Sequence, residues 1–392
     1  MSVIVHKPPH GPSGAERHFL RREFEEIRRS KGISGTLIEQ PWETWAHDLT
    51  GLLGDGSTHL IYIPGGWLPA LSSQGMLRNL SSCMPLEIER WRALYPDSVF
   101  NIGAWSGAQF GIPAYGAVWC FMYNEQLFEE AGISSIPETW EDLKACADRL
   151  KRRFPDVIPY GINDDSDGHF IDHGYVYLFA GGRSEWTDDQ GNLRFDHEWS
   201  VKGLAFLQEM VARGLANIPL DSPSHSIAEQ LLDGRIGMTV GPSDWLLLQR
   251  QRYPRTRLRV AMMPCPQGGR PLSFASYGFY GLVSGGEPVT EAAEWLRELI
   301  RPERLARHIR TIGMLPVQKG MRLYDQDSAF SVFAEQVVHS GAFPTADLSF
   351  ADALTPEMLA CLRLKKSAAE ALSGATQRIR EVGGSNGSTR VD

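Results

Sequence analysis

Short unbroken apolar runs alternate along the chain with stretches in which apolar residues recur every three or four positions. Residues 3–5, 36–39 and 59–63 have the length and apolar content of buried strands. Between the first two, Phe19, Leu20, Phe24 and Ile27 share one face of a helix predicted over 15–29, and 42–53 reads as a second helix. Strand, helix, strand in that order predicts βαβ units and a mostly parallel sheet. Ligands on such sheets sit at the carboxyl ends of the strands, here the loops 6–14, 39–42 and 65–67.

The stretch 111–150 has the densest pattern. Gly111-Ile112-Pro113 and the aromatic Tyr115 precede an apolar run, 117–123, long enough for a buried strand. Asn124 stands where a helix cap belongs, 125–130 reads as a short helix closed by Gly132, and Pro137 and Thr139 lead into a helix over 140–150. Further on, strands are predicted at 160–162, 236–240, 258–263 and 277–283. Helices are predicted at 172–180, 199–213, 227–232, 291–300, from Pro302, and at 367–382. The pattern at 101–110 is Gly-rich and supports no assignment, and that at 329–356 gives no clear path. There is no internal repeat.

Composition narrows the class. The 392 residues suffice for two domains of ordinary size, 42% of them apolar. The formal charge of −8 argues against nucleic acid or an anionic membrane as the main partner. No run approaches the ~20 apolar residues of a membrane span. Residues 1–14 lack the apolar core of an export signal, so either such a signal has been removed or the chain stays in the cytoplasm. Five cysteines, Cys83, Cys120, Cys146, Cys265 and Cys361, show no paired spacing and are expected to be inert thiols.

The ordered set Gly111, Pro113, Tyr115, Tyr123, Asn124, Pro137, Thr139 and Trp140 resembles the central signature of the extracytoplasmic sugar-binding proteins of ABC importers, of which the maltose-binding protein is typical. Gly65-Gly66-Trp67 with Gly75, Leu77 and Leu80, the loop Gly241-Pro242 to Trp245, the pair Pro264 and Pro266, and Gly313 with Leu315-Pro316 extend the likeness from Val3 to Val382. The resemblance implies an α/β, two-lobed periplasmic-binding-protein-like fold (type II), with a mixed, mostly parallel sheet in each lobe and a ligand cleft between lobes. The lobes are expected at 1–110 plus 264–308 and at 111–263 plus 309–392. It also implies a monomer without cofactor, located outside the cytoplasm, that passes a sugar, glycoside or polyol to the transmembrane permease subunits.

A sugar offers flat C–H faces ringed by hydroxyls, which indole and phenol faces cover while polar side chains take the hydroxyls. Trp42, Trp67, Tyr115, Trp245 and Tyr277, on predicted loops and strand ends, are the candidate aromatics, with Gly278 beside the last. Glu39, Asp172, Ser243 and Asp244 are the candidate polar partners, since carboxylates accept paired hydrogen bonds from adjacent hydroxyls. Each also has a plainer role: the rings as core, the carboxylates as solvated loop residues, Asp244 as a helix cap.

Other chemistry fits less well. Asp164, Asp165 and Asp167 with Asp188 and Asp189 could suggest calcium, but a calcium loop read from Asn163 ends on Gly174 where a bidentate Glu is required. His6, His10, His169 and His173 lack the companion Glu of a zinc-protease helix. No serine-hydrolase elbow, phosphate loop or dinucleotide fingerprint is present, so the chain is not expected to be an enzyme. The alternative is an enzyme on the same scaffold, similar to bacterial thiaminases, with Cys120 as its nucleophile; a thiol inside an apolar strand would be poorly reactive.

Overall fold

A computed structural model of the chain describes residues 2–8, 10, 14–40, 45, 49, 51–54, 56–162, 169–182, 186, 193–218, 226–286, 289–341 and 350–385. In chain order the principal strands are β1 (Ser2–Lys7), β2 (Ser34–Glu39), β3 (Leu60–Pro64), β4 (Gly111–Val118), β5 (Cys120–Asn124), β6 (Ile158–Tyr160), β7 (Ile236–Gly241), β8 (Leu258–Ala261) and β9 (Ser273–Leu282). Among the helices, α1 spans Ala15–Lys31, α2 Trp140–Arg153, α3 Trp245–Arg252, α4 Val289–Leu299 and α5 Pro302–Ile312. Two compact units result. One comprises residues up to Ala117 together with Ser276–Leu323; the other comprises Val118–Ala275 and the described residues from Tyr324 onward. These divisions fall later in the chain than those expected after residues 110, 263 and 308.

In the first unit β1 lies parallel to both β2 and β3, with Ile4 opposite Thr36 and Val5 opposite Leu60. The Gly278–Leu282 part of β9 runs antiparallel to β3, and β4 pairs with β9. Helix α1 is the crossover between β1 and β2 and buries Phe19, Leu20, Phe24 and Ile27, the face its periodicity assigns. Each such side chain contributes about 1.5–3 kcal/mol when fully buried. Gly35 on β2 is fixed by packing: a Cβ there would run into the ring of Trp295, the fully buried indole of α4. A second layer, Trp45, Leu49, Leu53, Leu68 and Leu71, packs with Ile61, Ile63 and Phe279 of the sheet.

In the second unit the sheet order is β8-β5-β7-β6. Strand β5 is antiparallel to β8 and to β7, and only β6 and β7 are parallel. The expectation of a mostly parallel sheet is therefore met in the first unit and corrected in the second. β5 enters this unit straight from β4, with only Trp119 between them. The apolar run over 117–123 is accordingly two strands; the Trp119 N–H leaves the ladder and donates to the Phe274 carbonyl at 3.3 Å.

Local chemistry sets the helix ends. The Asn124 side chain accepts from the Gln126 and Leu127 amides at 3.1 and 3.3 Å. Thr139 and Asp142 form a reciprocal capping box at the start of α2. The unassigned 101–110 stretch folds into a small hairpin, Ala104–Trp105 with Ala108–Gln109, turned by Ser106 and Gly107 at φ 46° and 77°. The 329–356 stretch includes the helix Ser328–Val338, started by an Asp327 cap, and runs into the helix Phe350–Leu362. No helix among the described residues is long and apolar enough to cross a membrane.

Candidate functional site

Because β1, β2 and β3 are parallel, their carboxyl ends, at Lys7, Glu39 and Pro64, share one edge of the first unit. Gly278 pairs with Pro64, so Tyr277 belongs to the same edge. Trp67 ends a single 3-10 turn, Gly65–Trp67, directly after β3. A Cβ on Gly65 would come within 2.8 Å of Phe279 and Ile102, so the tight turn there requires glycine. Trp67 and Tyr277 are partly buried; each rests one side on the core and keeps some surface exposed. Glu39 forms an ion pair with Arg17 of α1. Trp42 lies outside the described residues.

Tyr115 is placed differently. It is 2% exposed, stacked on Tyr62 at 5.5 Å and flanked edge-on by His10 and His308 at 5.3 and 5.6 Å. These rings enclose a charged group that the sequence pattern does not reveal. Lys7 Nζ donates to Glu16 Oε1 at 2.8 Å and to His10 Nδ1 at 2.6 Å, and lies 4.6 Å from the centre of the Tyr62 ring. An ammonium can only donate, so His10 Nδ1 accepts and the ring proton is on Nε2. The His10 amide donates to Glu16 Oε2 at 2.6 Å, and His308 Nε2 donates to Glu16 Oε1 at 2.7 Å.

Burial alone would raise the Glu16 carboxyl, but the Lys7 ammonium and the His308 hydrogen bond outweigh it and hold the group at about 2. Burial lowers Lys7, with Glu16 opposing, and lowers His308 against the pull of the same carboxylate. His10 is pushed well below its usual range by burial and then by Lys7. One ammonium thus meets one carboxylate directly, with neutral imidazoles beside them.

In the second unit, Ser243, Asp244 and Trp245 follow the carboxyl end of β7. Ser243 is fully buried. Asp244 has helical backbone angles, and its side chain makes no cap to α3. The Trp245 indole lies against the backbone of Gly241, where a Cβ would come within 2.6 Å of the ring. Asp172 is part of the helix His169–Ala180, and its side chain is outside the described residues. So the structure groups Glu39, Trp67, Tyr277 and Gly278 at one edge, sets Tyr115 inside the polar network, and groups Ser243, Asp244 and Trp245 in the other unit.

Lys7, Glu16, Tyr62, Tyr280 and His308 were not singled out from the sequence. The one available signal was a lysine closing an apolar strand with an acid in the first turn of the next helix. His10, weighed there as a metal ligand, is committed to Lys7. No cluster of metal-ligating side chains occurs among the described residues; the aspartates 164, 165, 167, 188 and 189 lie outside them. Cys120 is fully buried, and burial raises its thiol well above its usual range. All five cysteines are free; Cys83 is exposed and Cys265 partly so.

The family model for bacterial extracellular solute-binding proteins matches residues 15–304. A putative binding protein of Brucella abortus (strain 2308) is 23% identical over 312 residues, 76% of this chain and 72% of that protein. An arabinooligosaccharide-binding protein of Halalkalibacterium halodurans is 28% identical over 198 residues, 48% of this chain and 41% of that protein. An ABC substrate-binding protein of Listeria monocytogenes, solved with cycloalternan, has the same fold, with a TM-score of 0.83 at 17% identity over 98% of this chain and 99% of that one.

Proposed function

The chain belongs to the bacterial extracellular solute-binding protein family, and from that premise we propose that it captures a carbohydrate, outside the cytoplasm, for delivery to an ABC permease. The observation that carries this reading is the pair of tryptophans placed alike in the two units. Trp67 comes three residues after β3, past the Gly65 turn, and Trp245 four residues after β7, with its ring against Gly241. A partly exposed indole held against backbone is a rigid apolar plate for a pyranose face. Tyr277 adds a third ring, and Glu39, Ser243 and Asp244 are polar partners for hydroxyls; Asp172 and Trp42 remain candidates of the same kind. Tyr115 serves the site from behind, through the network it closes.

The charges at the first unit's edge are compensated internally, Lys7 by Glu16 and Glu39 by Arg17. That balance suits an uncharged oligosaccharide better than a sugar acid. Thermal-shift and calorimetric titration with arabino-oligosaccharides, cycloalternan, maltotetraose and mannobiose should find at least one that raises Tm progressively with the logarithm of its concentration above Kd. Trp67→Ala and Trp245→Ala should each weaken that sugar by on the order of tenfold, from a loss of about 1–3 kcal/mol of stacking and burial. No response to any neutral sugar would refute the reading.

A further inference from the structure

Three separate parts of the first unit converge on Glu16, a side chain 2% exposed. The end of β1 reaches it through Lys7 Nζ, the loop after β1 through the His10 amide, and α5 through His308 Nε2. Each carboxylate oxygen is used: Oε1 by Lys7 and His308, Oε2 by the His10 amide. The neighbourhood is fully built. Tyr62 from β3, Tyr115 from β4 and Tyr280 from β9 wall it, with Glu39 of β2 and Glu23 of α1 the next charges out.

Two of these connections reach functional ground. His10 fixes the loop at the strand-end edge where Trp67 and Tyr277 lie. His308 sits on the helix that ends at Gly313, and Leu315 beyond it exchanges backbone hydrogen bonds of 2.9 Å with Gly116, the residue after Tyr115. Gly116 is followed by Ala117, where the chain leaves the unit. A single carboxylate therefore ties His10, just beyond β1, to the helix that leads into the Gly116–Leu315 backbone pair.

We propose that Glu16 is a positioning residue for solute capture: by holding the loop after β1 and α5 in one arrangement it sets the affinity of the carbohydrate site without touching the sugar. This rests on the carbohydrate reading above. A ligand binds only the competent fraction of its protein, so if loss of the anchor leaves about a tenth of the molecules correctly arranged, the apparent Kd rises about tenfold.

The test uses the full chain and whichever of arabino-oligosaccharide, cycloalternan, maltotetraose or mannobiose the intact protein binds. Glu16→Gln should weaken that sugar about tenfold or more. The loss should persist as pH is raised from about 7 toward 10, where Lys7 without its counter-charge gives up its proton more readily, because neutralising Lys7 does not restore the anchor. The double variant Lys7→Met/Glu16→Gln, which removes the uncompensated charge, should regain thermal stability but stay weak. Wild-type affinity in folded Glu16→Gln, or recovery of Tm and affinity together in the double variant, would overturn the proposal and leave Glu16 a structural group.

Amide exchange on the unmodified chain decides the matter even if neither variant folds. The His10 amide should be protected without sugar and more protected with it; free exchange in either state is incompatible with anchoring. If the intact chain binds no sugar on the panel, the carbohydrate reading fails, while the sugar-free exchange of His10 still tests the anchor.

Discussion

The two units handle charge in opposite ways. In the first, ionised groups are inside: Lys7 with Glu16, and Arg304 of α5 between Glu23 and Glu298, all less than a tenth exposed. In the second, most pairs lie at the surface, such as Arg257 with Glu125 and Glu129, or Arg213 with Asp148. Among the described residues Glu357 is the buried exception, and its partners Lys366 and Arg378 are both more than a third exposed. Surface pairs gain little because water screens them, whereas a buried charge that loses its partner keeps its full desolvation cost. The first unit is thus specified by a few costly contacts, and the second by packing and backbone pairing.

Removing one buried partner should break this contrast most visibly. Arg304→Met removes the buried cation between Glu23 and Glu298 and leaves them only the more exposed Arg307, Lys31 and Arg301, and about 3 kcal/mol of stability should be lost, read from the urea midpoint. Next come the glycines that seat the rings. Gly278→Ala drives a methyl into the Tyr62 ring, where the Cβ would be 2.5 Å from Cζ, and Gly241→Ala displaces the Trp245 indole. Each should cost about 1–3 kcal/mol by overpacking. Gly241→Ala should also weaken sugar binding, which a plain stability defect in the rest of the second unit would not do at low temperature.

Acid should sharpen the comparison. Glu16 ionises at about 2 in the folded chain against 4.5 when free. Its contribution is therefore complete above about pH 4.5 and is lost as pH falls toward 2. His10 and His308 are held neutral below 6.5, so the unfolded chain binds protons first and stability already declines as pH drops beneath 6.5. His308→Gln should make that upper part of the decline shallower in a series of urea midpoints from about pH 7 to 3. The smallest effect belongs to the second unit: Arg257→Ala should leave the urea midpoint almost unchanged, and more nearly so in high salt.

What the sequence disclosed is what local chemistry controls. Asn124 and Thr139 cap helices where their side chains and spacing say they should, and the α1 face follows its period. Strand direction was less legible. Alternating strands and helices suggest parallel pairing, yet β5 lies antiparallel to both its neighbours although helices separate it from them in the chain. Trp119 interrupts an apolar run that no period distinguishes from one strand. Least legible was the network around Glu16, because His308 lies 292 residues away in the chain and neither residue belongs to a recurring pattern. Candidate rings were found from their positions after strands, but burial separates them: Trp67 and Tyr277 keep exposed surface, whereas Tyr115 does not.

The distribution of thiols has a practical consequence. Cys83 belongs to the first unit and Cys265 to the second, and these two are the only cysteines with appreciable exposure, the other three being buried. A donor and an acceptor dye coupled through maleimides would therefore mark one unit each on the unaltered chain. Energy transfer between them would turn the protein into its own ruler, reporting any sugar-dependent change in separation in real time and without an engineered attachment point.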